Sequence, residues 1–320
     1  MAVIPASIPS PPADWSRFAI GPFTIHAYAL CILAGIVVAT IMTSRRLTKR
    51  GAQPGVVVDF AIVAVPLALI GARAWHVLTH VGDYFGPGHA WWEPFAIWQG
   101  GNAIFGSVLG GAVGAFIASR WTGVRFLAFA DAVAPGLLLA QAIGRIGNWF
   151  NTELFGIPTT LPWGLQVPSD NPAYPAGLPA GTLFHPMFLY ELVWNTAGAV
   201  LIILIERRVA LRWGRALGVY LVWYGLGRSV FESIRIDPTT VLLGLRVNVW
   251  GAFAAVLLGI ALIAWSVRRH RGAEPSVYLP GRQWVSDAPV VSRYTAADFE
   301  GEPPVDQAKA AATSGAPSRR

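Results

Sequence analysis

Long apolar runs separated by short polar loops dominate the hydrophobic pattern of the first 270 residues. A helix needs about 20 mainly apolar residues to cross the hydrocarbon core of a bilayer. Runs of about that length predict seven spanning helices, at 25–43, 56–79, 104–120, 126–145, 186–205, 216–234 and 247–267. The pattern therefore predicts an all-α polytopic integral membrane protein.

The composition agrees with this prediction. Of the 320 residues, 54% are hydrophobic and 13% are charged, whereas a soluble domain carries about 25% charged residues. Fourteen tryptophans are typical of a chain that is anchored at two membrane–water interfaces. The net charge of +7 does not indicate a nucleic-acid partner, because most Lys and Arg residues lie in short clusters between the apolar runs.

These basic clusters predict the orientation of the chain. Cytoplasmic loops of membrane proteins carry an excess of Lys and Arg. The clusters occupy alternate connections, in loops 44–55, 120–125 and 206–215 and after the last run at Arg268, Arg269 and Arg271. These connections are therefore expected in the cytoplasm, and seven spans place the N-terminus outside and the C-terminus inside.

The pattern divides the chain into three regions. Residues 1–24 are expected to form an extracytoplasmic segment with no cleavable signal peptide, because no basic stretch precedes an apolar core there. Residues 25–270 are expected to form the transmembrane domain. The exterior loop 146–185 is rich in Pro and Gly and predicts an irregular extracytoplasmic cap. Residues 271–320 have little apolar periodicity and predict a disordered cytoplasmic tail.

Ionisable residues within apolar runs are candidate functional groups, because a charge inside a bilayer is costly. A rise of about 1.5 Å per residue places most of them near the outer ends of their helices. Residues with this location are Arg73, Arg145, Arg228, Glu232, His26, Tyr28, His185 and Glu191. They predict a polar site at the level of the outer leaflet, whereas Asp59 and Asp131 lie near the cytoplasmic ends.

The sixth run contains "GRSVFESIR", in which Arg228, Glu232 and Arg235 are spaced i, i+4 and i+7 and share one helix face. One interpretation is an internal ion pair that neutralises a buried charge. The other is that two arginines exceed one glutamate and leave positive charge for an anionic ligand, since the planar guanidinium binds phosphate bidentately. At this depth the anion would be a phospholipid phosphate.

A second polar group lies in "GRIGNWFNTELFG", residues 144–156. Arg145 and Asn148 are three residues apart and share a face if the fourth helix continues. The first glycines allow close helix approach, and Gly156 is expected to permit a turn that other residues avoid. A glycine-rich helix end capped by Asn accounts for the glycines but leaves Arg145 and Glu153 unexplained.

Other chemistry has little support in the sequence. There is no Gly-rich nucleotide loop, HExxH or GxSxG motif. The histidines lack the close spacing of a metal site, so neither a metal nor a cofactor is expected. The one cysteine, Cys31, has no ionising neighbour that would activate it.

The motif "GRIGNWFNTELFG" resembles the signature of the bacterial prolipoprotein diacylglyceryl transferases, Gly-Arg-x-Gly-Asn-Phe/Trp-x-Asn-x-Glu-x-x-Gly. Four further stretches occur in the order of that family: "HAYAL" in the first run, "GAR" at 71–73, "HPMFLYE" at 185–191 and "GRSVFESIR" at 227–235. The resemblance covers about residues 20–270.

The resemblance implies a bacterial inner-membrane enzyme with seven spans. It would transfer the sn-1,2-diacylglyceryl group from phosphatidylglycerol to the lipobox cysteine of a preprolipoprotein signal peptide, forming a thioether and releasing glycerol-1-phosphate. Its partners would be these two substrates and membrane lipids. By matching motifs, the essential roles fall on Tyr28, Arg145, Asn148, Glu153, Gly156, Arg228, Glu232 and Arg235.

A hypothesis for the chemistry follows from the resemblance. Arg145 and Arg228 would stabilise the leaving phosphate, supplemented by Arg73 or Arg235. Asn148 and Tyr28 would orient the headgroup, and Glu153 and Glu232 would fix the arginines. His26 and Gly156 complete the set of expected headgroup-binding residues.

The identity of the base is open. A thiol with a pKa of about 8.5 must lose its proton before it attacks, and Glu232, His26 and the substrate phosphate are candidates. Many family members have a His-Gly-Gly at the third span. This chain has Phe105 where that histidine would fall, and phenylalanine cannot accept a proton.

Two other functions are compatible with arginines inside a membrane. A transporter for an anionic lipid or solute would place polar groups through both leaflets, whereas here they concentrate in the outer one. A lipid-binding subunit without activity would not need the Arg/Asn/Glu combination.

Overall fold

The computed structural model describes residues 7–21, 23–86, 88–270 and 274–284. Seven long helices are present within these residues. They are α1 (Ala27–Lys49), α2 (Val56–Thr79), α3 (Ile104–Thr122), α4 (Phe126–Phe150), α5 (Met187–Arg208), α6 (Arg215–Ile234) and α7 (Val247–Arg269). Each coincides with one of the seven apolar runs, so the predicted helices are confirmed.

Six of these helices have the length and the apolar composition to cross a membrane: α1 to α5 and α7. α6 is not among the helices that meet these length and hydropathy requirements in the described chain. Its sequence includes the charged residues Arg215, Arg228 and Glu232. It packs against α4, α5 and α7. The predicted all-α polytopic membrane fold is confirmed, and the helix that carries these charges has protein on several sides.

Three short antiparallel hairpins complete the secondary structure. Their strands are β1 (Arg17–Ile20) with β2 (Phe23–His26), β3 (Leu165–Gln166) with β4 (Leu183–Phe184), and β5 (Val241–Leu242) with β6 (Leu245–Arg246). Short 3-10 helices lie at Ala13–Trp15, Val81–Asp83, Glu93–Phe95 and Ile97–Gln99. These elements lie at one end of the bundle, here called the cap end.

The cap end joins the N-terminal segment to the long loop after α4. Ile8 pairs with Leu165 of β3, and the Trp149 indole donates a hydrogen bond to the Pro9 carbonyl over 3.1 Å. Residues 151–186 contain no helix. The prediction that this loop forms an irregular cap is therefore confirmed.

The opposite end, here called the basic end, carries the Arg-rich connections. Arg46 of α1 forms an ion pair with Glu206 of α5, and Arg50 binds the same carboxylate over 2.9 Å. The Arg46 guanidinium also donates to the carbonyls of Asp131 and Ala132. Basic residues from one connection therefore bind the ends of neighbouring helices.

Asp131 has a structural role at the basic end. Its Oδ2 accepts the backbone N–H of Gly214 over 2.7 Å, and its Oδ1 accepts those of Ala216 and Leu217 over 2.9 and 3.1 Å. The first N–H groups of a helix have no partner within it. A buried carboxylate from α4 thus caps the N-terminus of α6.

Residues 274–283 form a strap across the basic end. The backbone of Val277 accepts the Arg125 N–H over 2.8 Å, and the Tyr278 hydroxyl accepts the Gln53 N–H over 2.8 Å. Both Val277 and Tyr278 are buried. The compact unit that contains the helices extends to Gln283, so packing against the bundle continues beyond α7. Two apolar residues are too short a pattern to predict such packing, and residues 285–320 lie outside the described chain.

The glycines of the third run lie between α2 and α3. A Cβ added to Gly110 would lie 2.1 Å from the Leu67 carbonyl oxygen, and one added to Gly106 would lie 2.1 Å from that of Gly71. Side chains at these positions would separate the helices. The glycine-rich composition of α3 therefore reflects close packing, as in other membrane helix pairs.

Candidate active site

The motif at 144–156 forms the end of α4 and the turn after it. α4 continues five residues past its expected end, to Phe150. Arg145 and Asn148 consequently share a face, and Arg145 Nη1 donates to Asn148 Oδ1 over 3.2 Å. Asn148 Nδ2 donates to Glu153 Oε1 over 2.8 Å. The motif thus forms a continuous chain of polar contacts from arginine through amide to carboxylate.

The tight turn of this motif does not use its glycine. Thr152 and Leu154 adopt the left-handed conformation, with φ of 49° and 57°, whereas Gly156 is not among the residues with positive φ. Gly156 instead pairs with Arg235, and a Cβ there would lie 2.9 Å from His185 Cβ and 3.1 Å from the Ile234 carbonyl oxygen. The expectation that Gly156 permits a turn is wrong; it permits close backbone approach.

Glu191 connects this motif to α5 and to the end of α6. Its Oε2 lies 2.8 Å from Arg145 Nε, and its Oε1 lies 3.8 Å from Arg235 Nη1. Only 5% of Glu191 is exposed. The sequence placed Glu191 at the outer end of its helix but assigned it no role. One signal, its position in "HPMFLYE", could have identified it.

Glu232 organises the second half of the site. It is 1% exposed, and its Oε2 lies 2.8 Å from Arg228 Nη2. Its Oε1 lies 2.7 Å from Arg246 Nε and accepts Asn248 Nδ2 over 3.0 Å. Arg246 and Asn248 were not predicted, because they follow a polar loop and lie at the very start of the last apolar run.

Asp237 holds Arg235 in the same half of the site. Arg235 Nε lies 2.6 Å from Asp237 Oδ1, and Arg246 Nη2 lies 3.5 Å from Asp237 Oδ2. Burial lowers the pKa of Arg235, but the bond to Asp237 and the charges of Asp237, Glu191 and Glu232 outweigh it, so the pKa is raised above its ordinary value. Arg235 is therefore a permanent cation.

The network as a whole carries no formal net charge. It contains four arginines and four carboxylates: Arg145, Arg228, Arg235, Arg246, Glu153, Glu191, Glu232 and Asp237. The interpretation of an arginine excess is therefore wrong for the assembled site, and the internal ion pair of Arg228 and Glu232 is present. Glu153, Glu191 and Asp237 lie outside α6, so the sequence of that helix alone did not predict the balance of charge.

Three arginines of the network nevertheless retain unused donors. Within the described chain, no hydrogen-bond or ion-pair partner contacts Arg145 Nη2, the Nε and Nη1 of Arg228, or Arg235 Nη2. The side chains of Arg145 and Arg228 are 22% and 15% exposed, against 5% for Arg235. These two guanidinium groups can therefore receive an anion without leaving their carboxylates.

Tyr28 lies against the motif from the first turn of α1. A Cβ on Gly147 would lie 2.7 Å from Tyr28 Cδ2 and 3.2 Å from Tyr28 Cα. Gly147 therefore allows the Tyr28 ring to pack directly against the end of α4, beside the network. His26 lies exposed at the N-terminal end of α1, opposite Arg17 in the first hairpin.

The structure does not bring Arg73 into this network. Its three guanidinium nitrogens donate to the carbonyls of Glu93, Pro94, Gly100 and Gly101 and to the Tyr84 hydroxyl. It is 4% exposed. Arg73 therefore organises the 80–103 loop and has little donor capacity for a ligand.

Phe105 lies at the start of α3 in an apolar contact. Its ring centroid is 6.2 Å from that of Trp75, and a Cβ on Gly251 of α7 would lie 3.1 Å from its ring. It contributes no proton acceptor. Among the described residues, no group of three or more His, Cys, Asp or Glu side chains is placed to hold a metal ion.

The model of the prolipoprotein diacylglyceryl transferase family matches residues 16–265. This chain belongs to that family. The match includes every residue of the charge-balanced network, from the "GRIGNWFNTELFG" motif to Asn248.

Named relatives agree with this membership. The chain is 60% identical over 290 residues to a phosphatidylglycerol–prolipoprotein diacylglyceryl transferase of Leifsonia xyli, covering 88% of this chain and 87% of the relative. It is 46% identical over 277 residues to the enzyme of the same name in Bifidobacterium adolescentis, covering 83% and 81%. With the Streptomyces griseus enzyme the identity is 43% over 272 residues, covering 85% and 81%.

Proposed function

We propose that this protein transfers the sn-1,2-diacylglyceryl group of phosphatidylglycerol to the lipobox cysteine of a preprolipoprotein. The observation that carries the proposal is the pair of partly exposed guanidinium groups, Arg145 and Arg228, in a charge-balanced network. Membership of a diacylglyceryl transferase family supports the same reaction. It does not favour a transporter or an inactive lipid-binding subunit.

The reaction is a displacement at a glyceryl carbon. The cysteine sulfur forms a bond to the carbon that carries the phosphate ester, and the carbon–oxygen bond to the phosphate breaks. The products are a diacylglyceryl thioether and glycerol-1-phosphate. The proton of the thiol passes to a base or to the departing phosphate, so charge and atoms balance.

The residues of the network have distinct roles in this proposal. Arg145 and Arg228 donate to the phosphate oxygens as negative charge accumulates on the leaving group. Glu191 and Glu232 hold these two arginines in place. Prealigned donors cost no reorganisation when the bond breaks, and this is why such groups accelerate a reaction.

The remaining residues bind or position the headgroup. Asn148 and Tyr28 orient it by hydrogen bonds, and Glu153 holds the Asn148 amide. Arg235 acts through Glu191 and through its backbone pairing with Gly156. Arg73 and His26 remain predicted headgroup contacts, with Arg73 the weaker candidate because its donors are occupied by carbonyls.

The proton acceptor is proposed to be the substrate phosphate or a carboxylate of the network. Glu232 is a weaker candidate than its sequence position indicated, since both of its oxygens lie within 3.0 Å of cationic or amide groups. These contacts leave neither oxygen of Glu232 open to an incoming thiol. The departing phosphate oxygen gains negative charge as its bond to carbon breaks, so it becomes a stronger proton acceptor.

The membrane setting is part of the proposal. The basic end would face the cytoplasm, since it carries the arginine-rich connections, and the network near the cap end would face outward. The N-terminus would then lie outside and the C-terminus inside a bacterial cytoplasmic membrane. A secreted cysteine and a headgroup of the outer leaflet would meet at this level.

The test is a transfer assay with purified protein in phosphatidylglycerol vesicles. A lipobox peptide should gain the mass of one diacylglyceryl group, seen as a gel shift and as label from acyl-labelled lipid. A peptide with Ser in place of the lipobox Cys should remain unmodified, as should the peptide in phosphatidylcholine vesicles. Absence of transfer by the folded wild-type protein would overturn the proposal.

A further inference from the structure

A cavity lined by arginines lies at the basic end, away from the network. Its volume is about 190 Å³. It is enclosed by the C-terminal end of α3, the start of α4, the 209–214 loop and the strap. The lining residues include Ser119, Arg120, Arg125, Trp213, Glu274 and Leu279.

The cavity carries positive charge. The acidic residue that lines the cavity is Glu274. Its Oε1 lies 2.9 Å from Arg125 Nη2. Arg120 also lines the cavity, with its guanidinium carbon 5.0 Å from the Phe116 ring centroid. Two arginines of the lining therefore face one carboxylate. Arg282 lies outside the lining and donates to the Trp121 carbonyl over 2.9 Å.

Two buried donors in the cavity have no acceptor. Within the described residues, Arg125 Nε and Trp213 Nε1 are shielded from solvent and have no hydrogen-bond partner. The Arg125 guanidinium lies 4.5 Å from the Trp213 ring centroid, so the two side chains that carry these donors are neighbours in the lining. Buried polar groups are nearly always paired. An anionic group bound in the cavity would supply acceptors for donors of this kind.

The surroundings indicate which acceptor can reach the cavity. Phe116 and Trp121 are exposed beside it on α3, a helix that is long and apolar enough to cross a membrane. Aromatic residues of this kind lie at the level of lipid headgroups. The volume equals that of about six waters at about 30 Å³ each, which accommodates a phosphate and part of its glycerol.

We propose that this cavity binds the phosphate group of an anionic phospholipid from the leaflet opposite to that of the network. Basic pockets between membrane helices bind phosphorylated lipid headgroups in this way. Free phosphate presents the same oxygens, but it lacks acyl chains to lie against Phe116 and Trp121. The bound lipid would contact α3, α4 and the strap, and its phosphate would lie beside Arg125 and Trp213, whose donors lack partners in the described residues.

The test is native mass spectrometry of the full chain released from detergent after addition of phosphatidylglycerol. We expect two bound lipids, one at the network and one at the cavity. Arg120→Gln should weaken one of the two by about fivefold, and Trp213→Phe should weaken the same one, because it removes the Nε1 donor and keeps the ring. Both variants should keep wild-type transfer rates, so failure here is separable from failure of the proposed function.

The matched control is Arg208→Gln, which removes an exposed positive charge at the same end outside the cavity. Equal loss of lipid from Arg208→Gln and Arg120→Gln would overturn the site, because diffuse attraction would then suffice. Full occupancy by phosphatidylcholine would also overturn it. If inorganic phosphate alone raises the unfolding temperature as much as the lipid does, and Arg120→Gln removes that gain, a lipid occupant is wrong.

Discussion

Arg145 Nε at the end of α4 lies 2.8 Å from Glu191 Oε2 in the first turns of α5, and the carboxylate is buried. The pair leaves Arg145 Nη2 without a partner in the described chain. A carboxylate that holds one edge of a guanidinium fixes the direction of the other edge. The same relationship recurs between Glu232 and Arg228.

Arg145→Lys and Arg228→Lys should each lower the transfer rate by about 100-fold or more, as loss of one charged donor to a leaving oxygen does elsewhere. Lysine keeps the charge but lacks the planar fork that can bind a carboxylate and a phosphate together. Single-turnover rates at saturating lipid would measure the effect. Arg207→Lys, at an exposed arginine of the basic end, is the control. Near-normal rates in both folded variants would disprove phosphate stabilisation by these arginines.

Glu191→Gln should lower both the transfer rate and the unfolding temperature. The change keeps the shape of the side chain but removes the charge that pairs with Arg145 and Arg235. Breaking a buried ion pair costs about 3–5 kcal/mol. Thermal unfolding in detergent and the transfer assay should move together, and a variant with unchanged rates would show that Arg145 does not depend on this partner.

Gly156→Ala should reduce activity by displacing the backbone that pairs with Arg235. The new methyl group would meet His185 Cβ at 2.9 Å and the Ile234 carbonyl oxygen at 3.1 Å. Overpacking of this kind costs about 1–3 kcal/mol. Gly82→Ala, where an added Cβ meets nothing within 4 Å, should have wild-type activity. Equal behaviour of the two variants would refute the close-approach explanation.

Leu243→Asn should stabilise the protein by about 1 kcal/mol. Leu243 and Gly244 form the turn between β5 and β6 with φ of 50° and 79°, a two-residue turn in which Asn-Gly is favoured. Leu243 is 84% exposed, so little packing is lost. Differential scanning fluorimetry measures the shift, and Leu243→Ala, which keeps the strained φ, should show no gain.

Asp131→Asn should destabilise the fold by about 1–3 kcal/mol. The amide that replaces one carboxylate oxygen would face backbone N–H groups of Gly214, Ala216 or Leu217, leaving a buried donor opposite a donor. The unfolding temperature should fall while the transfer rate below that temperature is maintained. Asp59→Asn changes another carboxylate near the basic end that makes no hydrogen bond in the described chain and should have little effect.

The helices were predictable from the sequence because apolar runs of spanning length leave few alternatives in a bilayer. The shared face of Arg145 and Asn148 also followed from their spacing. Each of these features depends on residues within a single helix, so the sequence of that helix is enough to predict it. The same is true of the face shared by Arg228 and Glu232.

The partners of these residues were not predictable in the same way. Arg246 and Asn248 meet Glu232 only because α7 returns beside α6 after a hairpin. Asp237 lies in a loop with no periodicity. The positive φ of Thr152 and Leu154 had no sequence signal either, since glycine is the residue expected there and the structure uses others.

The balanced charge of the network has a consequence for turnover. Glycerol-1-phosphate leaves with more negative charge than the phosphodiester had, and an uncompensated cluster of four arginines would retain it. Each arginine already has a carboxylate partner in the protein. The departing anion therefore competes with these permanent carboxylates for the guanidinium groups. We therefore expect product to dissociate readily, so that the same arrangement that orients the donors also empties the site for the next lipid.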